Sequence, residues 1–291
     1  MRARGYYIFY GFNWVITLLP LRVLYLVSDC FFLILYYVPS YRRDVVARNL
    51  KNSFPEKSEA ELKSVGKKFY RHLADIFVET LYVTHMSLDE QRKRFTYSNL
   101  EIMDKLREEK RDVIAVMGHY NNWEWPTLLP SFLNFKTVII YRPLRNKYFD
   151  AHIRRQRSKD GIVLTPTSMV IRELINNRKN NTNTVSVFLT DQTPAITEIR
   201  YWTTFLNQDT PVYTGTEKIA ARYDMAIVFF NIQKIRRGYY NMEVELLLDH
   251  TAGLSENEIT EAHVRRLEEI IREKPEYWLW SHRRWKHKRP A

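Results

Sequence analysis

A single cysteine, Cys30, stands in a chain of 291 residues, so no disulfide can form within it. No Cys/His cluster has the spacing of a zinc site, and nothing in the sequence asks for a metal or an organic cofactor. There is no Gly-x-Ser-x-Gly elbow, and Cys30 lies in an apolar segment, so a covalent acyl or peptidyl relay lacks a nucleophile. No helix-turn-helix or RNP pattern supports nucleic-acid binding. Internal repeats are missing, as is any evident linker. The one low-complexity patch is NNRKNNTNT at 176–184. No small-x-small site follows the apolar N-terminus, which argues against a cleaved signal.

Positive charge is plentiful. Lys and Arg number 45 against 33 Asp and Glu, for a net charge of +12. A pI near 9.6 points to an anionic partner: phospholipid, a phosphorylated substrate, an acidic protein or nucleic acid. Aromatics make up 14% and often adjoin basic residues, as in RYW at 200–202 and RRWKHKR at 283–289. That pairing suits a membrane interface and nucleic acid equally.

Residues 6–39 are almost wholly apolar, and Pro20 divides them into pieces each shorter than the ~20 residues that span a bilayer. The sequence predicts a hydrophobic helical membrane anchor at 1–39, as a tilted span, a re-entrant hairpin or helices in the interface. A buried hairpin of a soluble protein is the alternative. Arginines flank both ends (Arg2 and Arg4, then Arg42, Arg43 and Arg48), which favours a hairpin or interfacial segment with both ends cytoplasmic. The basic tail 283–289 would add attraction to anionic membrane lipid.

Residues 40–112 read as helical, with a capping box from Ser58 to Glu61. From 113 the texture changes. VIAVM (113–117), TVIIY (137–141), GIVL (161–164) and TVSVFL (184–189) are β-branched runs suited to strands buried on both faces. Helical candidates lie between them, AIVFFNIQKI and YYNMEVELLL form a hairpin around RRGY, and ENEITEAHVRRLEEIIRE closes as a helix. The expected fold is α/β: a single domain, 40–291, with a central mixed, partly parallel sheet flanked by helices, carried on the N-terminal anchor.

Chemistry centres on AVMGHYNNWEW at 115–125, where His119 precedes Glu124 by five residues. His85 with Glu90 and His263 with Glu268 repeat the offset, so spacing alone decides nothing. His263 and Glu268 fall in a predicted helix, well apart around its axis, and read as surface residues. His85 lies at a polar helix boundary. Only His119 follows a buried strand, and open α/β sheets bind ligands outside the carboxyl ends of strands. With Asn121-Asn122 turning the chain into a helix at Trp123, Glu124 could fold back to the imidazole. A carboxylate there would fix the tautomer while the free nitrogen takes a proton from a substrate hydroxyl. A histidine merely hydrogen-bonded at a strand end is the structural alternative.

HYNNWE resembles the His-x4-Asp/Glu motif of glycerolipid-type acyltransferases, and its surroundings resemble the lipid A biosynthesis (lauroyl/myristoyl) acyltransferase family. The likeness runs along nearly the whole chain. It includes YRPLRN (141–146), TDQTP (190–194), TFLNQDTPVYTGTEKIAAR and PEYWLWSHRRWK (275–286), with Asn207 where many members have glycine. The resemblance implies a bacterial inner (cytoplasmic) membrane enzyme, its catalytic domain on the cytoplasmic side. It would move an acyl chain from acyl carrier protein to a hydroxyl of a phosphorylated glycolipid, a lipid A precursor, late in lipid A assembly. His119 would be the general base and Glu124 its orienting partner. Arg142, Asn146, Asp191 and Gln192 would bind substrate, Arg142 through phosphate or developing negative charge. Another glycolipid, an aminolipid or a lysophospholipid would serve the same chemistry as acceptor.

Overall fold

The computed structural model of the protein describes residues 5, 10, 11, 13, 14, 18–38, 41–83, 86–126, 129–144, 146–158 and 161–290. The helical first part comprises α1 (Leu21–Tyr37), α2 (Arg43–Ser53), α3 (Glu59–Tyr82) and α4 (Leu88–Arg94). Strand β1 (Phe95–Ser98) and α5 (Glu101–Glu108) lead into the α/β region. There β2 (Val113–Met117), α6 (Leu129–Leu133), β3 (Lys136–Tyr141), α7 (Lys147–Arg157), β4 (Val163–Pro166), α8 (Val170–Lys179) and β5 (Thr184–Leu189) alternate. A hairpin of β6 (Tyr201–Phe205) and β7 (Gln208–Val212), then α9 (Gly215–Tyr223), β8 (Ala226–Arg236), β9 (Tyr239–Leu248) and α10 (Glu258–Glu273) complete the order.

Among the described residues, seven strands form one sheet, ordered β1-β9-β8-β2-β5-β3-β4. All its pairings are parallel except β8 with β9, so it is mixed but mostly parallel. Strand β2 sits centrally between β5 and β8, and every residue of VIAVM is buried. Helices cover both faces. Ile114 and Val116 face the layer holding α10, whereas Val113, Ala115 and Met117 face α5 and α6. This explains a strand with no polar alternation.

The capping box at Ser58 and Glu61 opens α3 as the sequence predicts. Three elements differ from expectation. Strand β1 lies in a segment read as helical, the fourth strand begins at Val163 rather than Gly161, and no helix starts at Trp123. The hairpin β6–β7 turns on Leu206 and Asn207, at φ of 51° and 60°. Asparagine tolerates this left-handed conformation nearly as glycine does, so Asn207 fits the turn without glycine.

Of the predicted anchor at 1–39, residues 21–37 form α1, and most of 1–17 lie outside the described residues. Leu21, Leu24, Ser28, Phe32 and Tyr36 bury one face of α1, which packs against α3. Two buried carboxylates of α3 hold it. Ser28 Oγ donates to Asp75 at 2.8 Å, and Tyr25 OH to Glu79 at 2.7 Å. Arg237, in the β8–β9 turn, bonds both Asp75 and Asp29. The next residue, Gly238, favours glycine, because its backbone is left-handed (φ +73°) and a Cβ there would run into the Tyr25 hydroxyl. Among the described residues no helix is long and apolar enough to cross a membrane.

Glu79 is wholly buried and also accepts from Tyr240 OH and Asn122 Nδ2, both at 2.7 Å. Burial pushes its carboxyl up, and the Tyr25 and Tyr240 hydroxyls pull it back. Removing it would leave two buried donors, Asn122 and Tyr240, and the half-buried Tyr25 hydroxyl without an acceptor. Glu79→Ala should therefore lower unfolding free energy by about 3 kcal/mol or more, and Glu79→Gln by less. Urea unfolding of the purified variants measures both.

Candidate active site

Strands β2 and β5 run side by side and end together, and Thr190 N donates to Met117 O at 3.1 Å where they part. Gly118 and His119 follow one strand, and Asp191 follows the other. Asp191 Oδ2 accepts the His119 backbone N–H at 2.8 Å, and Oδ1 lies 2.6 Å from His119 Nδ1. Trp278 Nε1 donates to Oδ2 at 2.8 Å. Glycine at 118 keeps this approach open: a Cβ would lie 2.7 Å from Leu267 Cδ1 and 3.3 Å from Asp191 Oδ2.

Burial alone would raise the Asp191 pKa, but the charge and hydrogen bonds of His119, with the Trp278 donor, bring it down to about 2. Asp191 is thus an ionised acceptor at neutral pH, and the proton between it and His119 sits on Nδ1. Nε2 is then the ring nitrogen on the open side, where the Gln192 amide nitrogen lies at 3.1 Å.

The structure gives the imidazole a different carboxylate from the one expected. Residues 123–124 form a turn, and Glu124 points to α7, where Arg157 Nη2 lies 2.6 Å from both carboxylate oxygens. The cause is the path of the loop. Tyr120 bridges to Trp278, and Asn121, at φ 54°, donates to Tyr277 O and Ile232 O. Asn122 is tied to Glu79. With Nδ1 turned to Asp191, the guanidinium on α7 takes the Glu124 carboxylate, a charge-assisted pairing stronger than a neutral hydrogen bond.

Arg142 is exposed after β3, close enough to Tyr213 to act on it electrostatically. The Tyr213 hydroxyl donates to Thr193 O, next to Gln192. Asn146 is a helix cap, its Oδ1 accepting from Tyr148 N at 3.1 Å at the start of α7. His119, Asp191 and Gln192 are therefore in direct contact, Arg142 stands near Tyr213, and Glu124 and Asn146 both engage α7.

Sequence reasoning missed the C-terminal contribution. Trp278, His282 and Arg284 wrap around Asp191–Thr193: His282 Nε2 accepts from Thr193 N at 3.2 Å, and Thr193 Oγ1 donates to Arg284 O at 2.6 Å. Arg284 was expected to meet lipid with the rest of 283–289, yet it is 2% exposed and lines a small cavity with Thr190, Asp191 and His263. Burial lowers its pKa to about 10, with Asp191 and Tyr213 opposing, so it remains a cation. Lys286, Lys288 and Arg289 stay exposed. The alternating bulk of WLWSHRRW was the available signal, hidden because a basic run reads first as surface.

The decoy pairs also resolve. His85 lies outside the described residues. His263 and Glu268 are buried, not surface: His263 faces Thr190, and Glu268 accepts from Leu206 N and Arg272. Helix α10 is packed on its inner side more widely than an offset of five suggests.

Residues 1–287 match the family model described as bacterial lipid A biosynthesis acyltransferase. The chain belongs to that family. It is an acyltransferase. A protein named lipid A biosynthesis acyltransferase 2, from Shigella flexneri, is 21% identical over 235 residues, which cover 80% of this chain and 74% of that one. The match spans the sheet, the strand-end histidine and the C-terminal wrap together.

The buried histidines make the acyltransferase acid-sensitive. Burial brings His263 and His282 down to about 4, against weaker opposing pulls from Glu261 and Asp191 respectively. Each folds neutral, so its contribution is intact above the unfolded value of ~6.5 and is lost as pH falls toward 4. Asp191 acts lower, between ~3.9 and about 2. Between pH 7.5 and 5, His263 alone should cost about 2 kcal/mol, from ~1.4 kcal/mol per pH unit below ~6.5. Denaturant titrations should show a smaller drop over that interval for His263→Leu than for the wild-type protein.

Proposed function

We propose that this enzyme transfers an acyl chain from an acyl carrier protein thioester to a hydroxyl of a phosphorylated lipid A precursor, with His119 as general base. The contact between His119 Nδ1 and the buried Asp191 carboxylate carries the reading, because it turns Nε2 away from that carboxylate, beyond the carboxyl ends of β2 and β5, to take a proton. The acceptor hydroxyl gives its proton to Nε2 as its oxygen attacks the thioester carbonyl. The imidazolium, held by Asp191, then returns the proton to the leaving thiolate. Asp191 takes the orienting role, and Glu124 enters through Arg157, which it holds at the site for an anionic part of the substrate. Arg142, exposed beside Tyr213, is a second cation for the substrate's phosphate. A basic chain of net charge +12 suits both an acidic carrier protein and a phosphorylated acceptor.

The acceptor is a lipid, and α1 supplies a surface for reaching it. Its outer face exposes Val23, Leu26, Val27, Leu33, Ile34 and Tyr37 at helical spacing. With 17 residues it is ~26 Å long, short of the ~30 Å hydrocarbon core. Its inner face is fixed to α3 by Asp75 and Glu79. An amphipathic helix so held lies in the interface plane, here on the cytoplasmic leaflet where the carrier thioester is available.

With carrier-protein thioester and phosphorylated glycolipid as substrates, His119→Ala should lower turnover by about 10²-fold to 10⁴-fold, the usual worth of general-base catalysis. Asp191→Asn should fall by a comparable factor, since an amide there can hold the wrong tautomer. Folded protein with near-normal transfer after either change would end this reading. Leu26→Asp combined with Ile34→Asp should leave the fold intact, both side chains being exposed, and should release most protein from anionic vesicles in flotation assays. Retention of the double variant on vesicles would locate the membrane contact elsewhere.

A further inference from the structure

We infer that Gln192 is a catalytic residue: its side-chain amide caps the resting base and then donates to the oxyanion of the tetrahedral intermediate. The inference rests on His119 acting as base and goes beyond it. With Nδ1–H committed to Asp191, a His119 that serves as base carries only a lone pair on Nε2. A lone pair can be met only by a donor, so the Gln192 side chain must present its NH₂, not its carbonyl, across the 3.1 Å contact. That lone pair accepts one hydrogen bond, and it is the one that must receive the acceptor hydroxyl's proton. The amide and the substrate hydroxyl therefore compete for a single position.

Displacement does not send the amide far. Gln192 follows Asp191 directly, and Asp191 is fixed by three hydrogen bonds, two from His119 and one from Trp278. The next residue, Thr193, is pinned by His282 Nε2 and Arg284 O. Between these anchors the Gln192 backbone has little freedom, while its exposed side chain rotates and makes no other hydrogen bond among the described residues. A hydroxyl seated on Nε2 places the thioester carbonyl carbon about 3 Å beyond its oxygen, the separation of a near-attack pose. The displaced NH₂ then lies within reach of the carbonyl oxygen.

The electron flow uses that position. The hydroxyl oxygen forms a bond to the carbonyl carbon, its proton passes to His119 Nε2, and the carbonyl π pair moves onto oxygen, where the Gln192 N–H meets the new negative charge. Collapse re-forms the carbonyl and breaks the C–S bond, and the thiolate takes the proton from His119. Gln192 then returns to Nε2. A donor aimed at charge present only in the transition state raises turnover without tightening substrate binding.

The decisive comparison is Gln192→Met, near in shape but without a donor. Loss of one oxyanion donor costs about 10²-fold to 10³-fold in kcat. The inference expects a fall of that size with acceptor KM little changed and thermal unfolding unaltered. It also expects affinity for an alkyl phosphonate mimic of the tetrahedral intermediate to fall in proportion to kcat. Gln192→Asn should keep part of the activity. If Gln192 only caps the base, Gln192→Met frees the lone pair and kcat holds or rises, which overturns the inference while leaving His119 as base. A fall confined to KM, with phosphonate affinity unchanged, overturns it equally. His119→Ala, assayed in parallel, reports on the base independently, since its retained activity would sink the base whatever Gln192→Met shows.

Discussion

Everything at the carboxyl ends of β2 and β5 depends on keeping one carboxylate ionised in the interior. Asp191 is 5% exposed, and burial works against its charge. An isolated carboxylate there would take up a proton. Instead, the parallel pairing of β2 with β5 brings the strand ends side by side, and the turn after Gly118 offers the His119 backbone N–H as well as its imidazole. A third donor, Trp278, arrives from the far end of the sequence. Arg284 adds a buried positive charge nearby. Fold, turn and C-terminal wrap thus converge on one electrostatic requirement, and the tautomer of His119 follows from it.

A second buried carboxylate does for the loop what Asp191 does for the imidazole. Glu79 joins α1 through Tyr25, the sheet through Tyr240 and the loop through Asn122, while its backbone carbonyl accepts from Trp125. The helix with the exposed apolar face is therefore connected to the residues after His119 by one side chain and two hydrogen bonds. Asp75 repeats the device one helical turn earlier, holding Ser28 and Arg237. Polar interior groups of this kind tie elements together only when every donor and acceptor is matched, which makes the junction stiff rather than merely attractive.

How far the sequence could be read divides along physical lines. Strands with all-apolar faces announce themselves, and VIAVM, TVSVFL and AIVFFNIQKI fall where their composition predicts. His119 stood out because a strand end is a place where chemistry is possible. Its partner was harder. Asp191 and Gln192 stand out only through the likeness of TDQTP to the family, because nothing local tells that β5 pairs with β2 rather than another strand, and that pairing delivers the carboxylate. Glu124 was favoured because it is near in sequence. Proximity along a chain is a weak guide once the chain turns on a left-handed Asn121. The tail was misjudged for the opposite reason, since five of the seven residues in RRWKHKR are Lys or Arg, which hides the one arginine that points inward.

The relation between Glu124 and Arg157 changes what a His-x4-Glu spacing means in this protein. If the glutamate served the imidazole, the motif would be a self-contained device, and the rest of the site would be scenery. Here the carboxylate instead neutralises a guanidinium on α7, a helix whose first turn is capped by Asn146 just beyond the exposed Arg142. The pair is part-exposed, at 33% and 21%, so its Coulomb energy is modest, and geometry is its main product. It fixes where α7 ends relative to the loop carrying His119, a relation no spacing within the motif could set. Two carboxylates then divide the labour by burial. The enclosed one, Asp191, holds the imidazole of His119, and the wetter one, Glu124, holds the guanidinium of Arg157.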